Sequence, residues 1–248
     1  MQTQATIKNR FINTITHGDC IQVMRQMPAN SVDFILTDPP YLVNYKDRTG
    51  RSIKNDSNSD WLIPAMREAY RVLKQDRVAV MFYGWSAVNK FFAAWRQAGF
   101  YPVGHIVFRK DYASKSRLVR YQHEQAYLLA KGKPRLPKTP IADIIDIDYG
   151  GNNLHSTQKP LSVLVPLISA VWCCRLIRAP LAASTCCSST RTTRSATEFS
   201  SRNSRVPTGS IWLGTCPRPC CPADRLVRKW LLLQQSQVHA IVLYGLSR

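Results

Sequence analysis

Two rhythms of apolar and polar positions run along the chain. Val32, Phe34, Ile35 and Leu36 form a short apolar run rich in β-branched and aromatic residues, cut off at Asp38-Pro39-Pro40, and predict a buried strand with an abrupt end. Phe11 to Ile15 predicts an earlier strand ending in His17-Gly18-Asp19. Ile21, Val23, Met24 and Met27 follow at helical spacing, with Asp19 where a helix N-cap belongs. Trp61 to Leu73 repeats the helical spacing and closes at Lys74-Gln75-Asp76, and Val78 to Tyr83 predicts the next buried strand, ended by Gly84-Trp85. Ser86 is placed to cap a helix with Val88, Phe91, Phe92 and Trp95 on one face and Gly99 as its stop. Val103 to Phe108 and Ala126 to Ala130 complete an alternation of strands and helices, which predicts an α/β fold with a doubly wound sheet and the aromatic residues in its core.

Composition narrows the partners. The 248 residues suffice for one α/β domain or two small ones, and 45% apolar content is ample for a core. A net charge of +19 favours a polyanionic partner bound in a salt-dependent way. The opening Met1-Gln-Thr-Gln-Ala has no basic region followed by an apolar one, and no run reaches the length of a membrane span, so the expected location is the cytoplasm.

The positive charge is concentrated in loops. Leu42 to Asp60 is polar, carries Lys46, Arg48, Arg51 and Lys54 among glycine and asparagine, and reads as a mobile loop able to clamp a nucleic-acid strand. Arg109 to Arg120 carries Arg109, Lys110, Lys115, Arg117 and Arg120 with Tyr112 interleaved, and Lys131 to Lys138 adds a loop rich in proline and lysine. Such residues would hold phosphates and position a duplex. His123-Glu124, just before a strand, reads as a structural pair.

The candidate chemistry lies at the carboxyl end of the Val32 strand, where open α/β sheets bind their ligands. Asp38, Pro39, Pro40 and Tyr41 make a stiff polar loop. The Asp38 carboxylate and the Pro39 carbonyl can accept both hydrogens of an exocyclic amine and draw its lone pair out of conjugation. Tyr41 can stack on the base, which must leave the duplex to be reached.

Asp38-Pro39-Pro40-Tyr41 resembles the catalytic motif of the S-adenosylmethionine-dependent amino-methyltransferases of DNA. His155-Ser156-Thr157-Gln158-Lys159-Pro160 is similar to the His-Pro-Thr-Gln-Lys-Pro segment that opens a cofactor-binding helix in the β arrangement of that family, with Ser156 in place of proline. The resemblance runs from about His17 to Val171 and implies a Rossmann-like methyltransferase sheet, S-adenosylmethionine as cofactor and duplex DNA as substrate. It implies cofactor contacts at Asp19, the Cys20 backbone, Asp38, His155, Thr157, Gln158, Lys159 and Pro160. The basic loops, at about 42–60 and 109–150, fall where the family places elements that touch DNA. Aspartate at the first motif position goes with adenine N6 more often than with cytosine N4.

The resemblance stops after Val171. Family members continue with a strand carrying Asp-Pro-Phe-x-Gly-Ser-Gly-x-Thr, then a second strand ending in an acid, and neither is present here. Residues 172–248 hold seven of the eight cysteines and ten Arg and one Lys against two acids, Glu198 and Asp224. The pairs Cys173-Cys174, Cys186-Cys187 and Cys220-Cys221 lack the gaps that let one metal ion be gripped from a turn, so no metal is expected. Read one base later, codons for Cys173 to Arg178 can encode Val-Val-Asp-Ser-Phe-Ala, close to the family's Val-Leu-Asp-Pro-Phe-Ala, which points to a slipped reading frame. The expectation is a catalytic region over 1–171 with an incomplete sheet and an irregular tail over 172–248, and weak cofactor binding. Two apolar patches, Trp230 to Leu233 and His239 to Tyr244, are placed to cover part of the gap. A basic DNA-binding remnant without catalysis, or an N4-cytosine methyltransferase, are the alternatives.

Overall fold

The computed structural model describes residues 11, 16, 18–47, 50, 52–113, 118–137, 139–148, 159–173 and 241–244. Residues 12–15 of the expected first strand, the motif residues His155, Thr157 and Gln158, the basic residues Arg48, Arg51, Lys115 and Arg117, and the Trp230 patch lie outside the described residues.

Among the described residues, six strands form one mixed sheet: β1 (Phe34–Thr37), β2 (Arg77–Phe82), β3 (Tyr101–Arg109), β4 (His123–Lys131), β5 (Ile144–Asp146) and β6 (Ile241–Tyr244), in the order β5-β3-β4-β2-β1-β6. β1 runs parallel to β2, with Ile35 opposite Ala79 and Thr37 opposite Met81. β4 is antiparallel to both β2 and β3, so its first residues lie at the same edge of the sheet as the last residues of β1 and β2.

The sheet is covered on both faces, as the alternation of buried side chains along its short strands requires. On one face Ile35, Ala79, Met81 and Leu129 pack with α1 (Cys20–Arg25), α2 (Leu62–Val72) and α3 (Val88–Ala98). On the other, Phe34, Leu36, Val80, Phe82, Ile106, Phe108 and Ala126 pack with Val163, Leu164, Leu167 and Ile168 of α4 (Leu161–Cys173). Three layers result, with β1 at the junction of both cores, and this is the α/β architecture that the alternation predicts.

Local chemistry fixes the helix ends. Asp19 caps α1, its Oδ1 accepting from Ile21 N at 2.9 Å and Gln22 N at 3.1 Å. α2 buries Leu62, Ala65, Met66, Ala69 and Val72, one stripe at helical spacing. Before α3 the expected Ser86 cap is not formed. Trp85–Ala87 make a 3₁₀ turn that runs on into the helix, so Ser86 lies inside the turn and not ahead of it, and the N-cap of α3 is Ala87. Gly99 stops α3 as expected, with φ of 104°, a left-handed value that glycine takes without strain.

Lys131 departs from its sequence reading as the start of a basic surface loop. It is buried, and its ammonium donates to Asn30 Oδ1, Tyr70 O and Leu73 O at 2.9, 2.7 and 2.6 Å, satisfying carbonyls at the end of α2. Burial, aided by the charge of Arg71, pulls its pKa below the ordinary lysine value. The loop after Tyr41 is also more tied than a polar composition suggests. The buried Asp56 accepts from the backbone N–H groups of Leu42 and Val43 through Oδ1, at 2.7 and 3.3 Å, and of Tyr45 through Oδ2, at 2.6 Å. Leu42 and Asn44 take positive φ, which turns these donors inward.

In the tail, β6 lies within the His239 to Tyr244 patch and pairs antiparallel with β1, Phe34 opposite Tyr244 and Thr37 opposite Ile241. Among the described residues no helix is long and apolar enough to cross a membrane.

Candidate functional site

The site forms where β1, β2 and β4 end together. Asp38 follows Thr37, the last residue of β1, and Thr37 stands opposite Met81. Phe82, the next residue of β2, stands opposite Ala126 of β4, which places Glu124 just beyond that edge. Lys159 enters from the other core face, directly ahead of the Pro160 carbonyl that accepts from Val163 N in the first turn of α4.

These elements bring four charged side chains into a row of alternating sign. Lys159 Nζ lies 3.2 Å from Asp38 Oδ2 and 3.0 Å from Glu124 Oε2, and Lys110 Nζ lies 2.7 Å from Glu124 Oε1. Tyr41 completes the group by donating its hydroxyl to Asp38 Oδ1 at 2.9 Å. The Lys159 ammonium also lies 5.2 Å from the ring centroids of both Tyr41 and Phe82, within cation–π range.

Burial decides part of the electrostatics. It pushes the Asp38 carboxyl above its ordinary value; Lys159 works against that rise and Glu124 with it. Glu124 shows the opposite balance, because burial alone would raise it, yet the two ammonium groups of Lys159 and Lys110 hold it down at about 2. Burial works against the charge of Lys159, but Asp38 and Glu124 outweigh it and keep the ammonium protonated well above the ordinary lysine value. The Tyr41 hydroxyl is driven up by burial and by the Asp38 charge, so it stays a donor.

Tyr41 is held from a second side. Gly84, after the end of β2, packs so close that a Cβ there would strike the Tyr41 carbonyl oxygen and stand 2.9 Å from its Cβ. Only glycine permits this approach. Pro39 and Pro40 are buried beneath the loop and fix its course.

The sequence-derived set divides on this geometry. Asp38, Tyr41 and Lys159 come together, joined by Glu124, which its sequence reading made merely structural. The signal was weak, because a His-Glu pair before a strand reveals nothing of which strand it lies beside. Lys110 departs from its sequence reading as an exposed phosphate contact: it is buried, and its ammonium pairs with Glu124. Arg109 is exposed and bidentate on Asp146, at 2.6 and 3.0 Å. Lys46 and Arg120 are exposed. Asp19 is exposed at the α1 cap, and the neighbouring Cys20 thiol is pushed up to about 11 by burial and by the Asp19 charge.

A carboxylate at a strand end, anchored through one oxygen to an ammonium and through the other to a phenol, is a fixed acceptor for a polar N–H. It retains lone-pair capacity for that donor, since a carboxylate offers about four acceptor sites.

Comparison with known proteins identifies the family. Residues 32–212 match the family model N6_N4_Mtase, DNA methylase. The protein named "Putative methylase YubD" of Escherichia coli (strain K12) is 54% identical over 162 residues, 65% of this chain and 70% of that protein. The DNA adenine methyltransferase YhdJ of the same organism is 41% identical over 63 residues, 25% of this chain and 21% of that one. The crystal structure of the M1.HpyAVI-SAM complex aligns with a TM-score of 0.49 at 18% identity, over 63% of this chain and 76% of that one. With the family model spanning most of the chain and the Asp38 loop seated at the end of β1, the chain belongs to the DNA methylase family of the N6-adenine and N4-cytosine type.

Proposed function

We propose that the chain transfers a methyl group from S-adenosylmethionine to the exocyclic N6 of adenine in duplex DNA, with the base flipped out of the helix. The observation that carries this reading is the Asp38 carboxylate, fixed at the end of β1 by Lys159 at 3.2 Å and Tyr41 at 2.9 Å. S-adenosylmethionine supplies an electrophilic methyl group when bound. Asp38 accepts a hydrogen of the adenine amine and meets the positive charge that develops on its nitrogen, with Pro39 O as the second acceptor. For the base to stack, Tyr41 presents its ring, whose hydroxyl is already turned onto Asp38. Lys159 favours the charged carboxylate and orients it, and Glu124 holds Lys159 in place. Adenine is preferred over cytosine because of aspartate at position 38 and the likeness to an adenine methyltransferase.

Donor chemistry at the α1 and α4 starts suits the cofactor: the exposed acid Asp19 with the Cys20 backbone for its adenine, and Lys159-Pro160 with His155, Thr157 and Gln158 ahead of α4. Exposed Lys46 and Arg120 supply phosphate contacts, with Arg48, Arg51, Lys115 and Arg117 of the same loops. The test is incubation with duplex DNA and methyl-labelled cofactor, followed by nucleoside chromatography. Label in N6-methyladenine that disappears in Asp38→Ala supports the reading, label in N4-methylcytosine replaces the base assignment, and label independent of Asp38 overturns the mechanism.

A second reading, a basic DNA-binding protein without catalysis, is favoured by one observation. The glycine-rich segment that the family resemblance implies after Val171 is absent from the sequence, and an edge of β1 is paired instead with antiparallel β6. DNA binding with no label transferred, restored when the chain after Val171 is replaced by its alternative-frame translation, is the outcome expected of that reading.

A further inference from the structure

Most aromatic side chains of the fold are internal. Tyr83, Phe91, Trp95 and Tyr127 pack ring against ring on the α3 face, with His105 bonded to the Tyr83 hydroxyl at 3.0 Å. Among the described residues Trp85, Tyr101 and Tyr112 are exposed, and Trp85 is the most exposed of the three. The rings of Trp85 and Tyr121 stack with centroids 5.6 Å apart and planes 20° from parallel, while Trp85 remains 57% exposed. An indole held flat by a partner ring and left open to solvent loses the benefit of burial and keeps an accessible π-face.

Its location gives that face a use. Trp85 follows Gly84, whose backbone presses on Tyr41, and Tyr121 lies shortly before Glu124, which pairs with Lys159. The two strand ends that carry them, β2 and β4, are hydrogen-bonded neighbours with Phe82 opposite Ala126. The stack therefore stands at the rim of the Asp38 site. Arg120, exposed and next in sequence to Tyr121, adds positive charge beside it, on a chain whose net charge is +19. A flat ring system linked to negative charge satisfies both features.

We propose that the Trp85–Tyr121 stack is the seat of a nucleobase adjacent to the target base in the bound DNA strand. The inference rests on the function proposed above and adds a second stacking position, outside the Asp38 loop, that grips the strand while Tyr41 holds the flipped base. Stacking on a π-face tolerates any base, so the contact contributes affinity and not sequence preference.

The test uses the full chain with fluorescein-labelled duplex and single-stranded oligonucleotides of mixed sequence, titrated by anisotropy over a range of salt. A second probe is a single strand carrying 2-aminopurine, whose fluorescence is quenched by stacking. Trp85→Ala and Tyr121→Ala are expected to weaken binding by about five- to a hundredfold, the range of one stacked base, and to relieve the quenching. The slope of log affinity against log salt should be unchanged, since no phosphate contact is removed. Trp85→Phe, which keeps a ring, should restore most of the affinity and guards against a merely misfolded variant. Alanine variants that bind and quench like the parent overturn this inference and leave the proposed function intact, and so does a loss accompanied by a shallower salt slope, which would mark a phosphate contact. A parent chain that binds no DNA at low salt overturns both.

Discussion

Lys159 Nζ stands between two carboxylates, 3.2 Å from Asp38 and 3.0 Å from Glu124, so the residue that opens α4 is bonded to the loop that closes β1. The pair joins the two halves of the site across the edge of the sheet. Burial opposes the charge of both acids; that ammonium favours the ionised form of each, joined at Glu124 by Lys110.

Lys159→Met should therefore destabilise the fold by about 3–5 kcal/mol, the usual cost of leaving a buried charge without its partner. It should also raise the Asp38 pKa further, because burial and the nearby Glu124 charge would then be opposed by the Tyr41 hydrogen bond and no longer by Lys159. Urea unfolding at neutral pH measures the first effect. A loss under about 0.5 kcal/mol, the range of ordinary surface substitutions, would show that the pair holds nothing in place.

Glu124 sets a pH dependence with a definite sign. Its folded pKa is depressed from 4.5 to about 2, so its ionised form is favoured by folding, and its contribution is fully present above pH 4.5. That contribution, on the order of 3 kcal/mol, is lost as pH falls from about 4.5 through about 2. Asp38, raised by folding, works in the opposite direction at acid pH. Denaturant unfolding at stepped pH should show a steeper acid decline in the parent than in Glu124→Gln. Equal slopes would remove Glu124 from the account.

Asp56 gathers three backbone donors from the loop after Tyr41. Replacing it with alanine should free Leu42, Val43 and Tyr45 to exchange their amide hydrogens faster, by roughly tenfold for each 1.4 kcal/mol lost, with about 1.5–3 kcal/mol expected for a bond to a charged acceptor. The helix amides of α2 should be unaffected. Hydrogen exchange read by mass spectrometry across residues 42–45 decides it, and unchanged protection there would mean that the loop is held by other contacts.

DNA binding should fall linearly in log affinity against log salt concentration, as exposed lysine and arginine displace counterions. Substituting Arg120 or Lys46 with glutamine should reduce the slope by about one each. Substituting Lys110 should leave it unchanged, because that ammonium is spent on Glu124. A slope that drops in Lys110→Gln would return Lys110 to the phosphate contacts.

Which parts of this structure could be read from the residues follows from the range of the interactions. The Ile35 strand, the α2 stripe and the Gly99 stop depend on neighbours a few positions away, and their spacing carries them. The Asp38 loop was legible for the same reason. The ion-pair row was not, since it depends on β4 lying antiparallel to β2 and on α4 arriving on the opposite face, facts of register that no local pattern encodes. Lys110, Lys131 and Arg120 look alike in sequence, yet two are buried and one is exposed, and only the packing of the strands around them separates the three.

The pairing of Phe34 with Tyr244 joins positions far apart in sequence, and it bears on synthesis. Strand β1 is made well before β6, so one of its edges has no β6 to pair with until residues 241–244 emerge. Closing so large a loop is slow, and during that interval the exposed edge is open to other chains. The loop that carries Asp38 follows this strand directly. Slowing translation should therefore lower the soluble yield of the full chain, read as the soluble fraction at matched synthesis, and an unchanged yield would show that the unpaired edge is harmless.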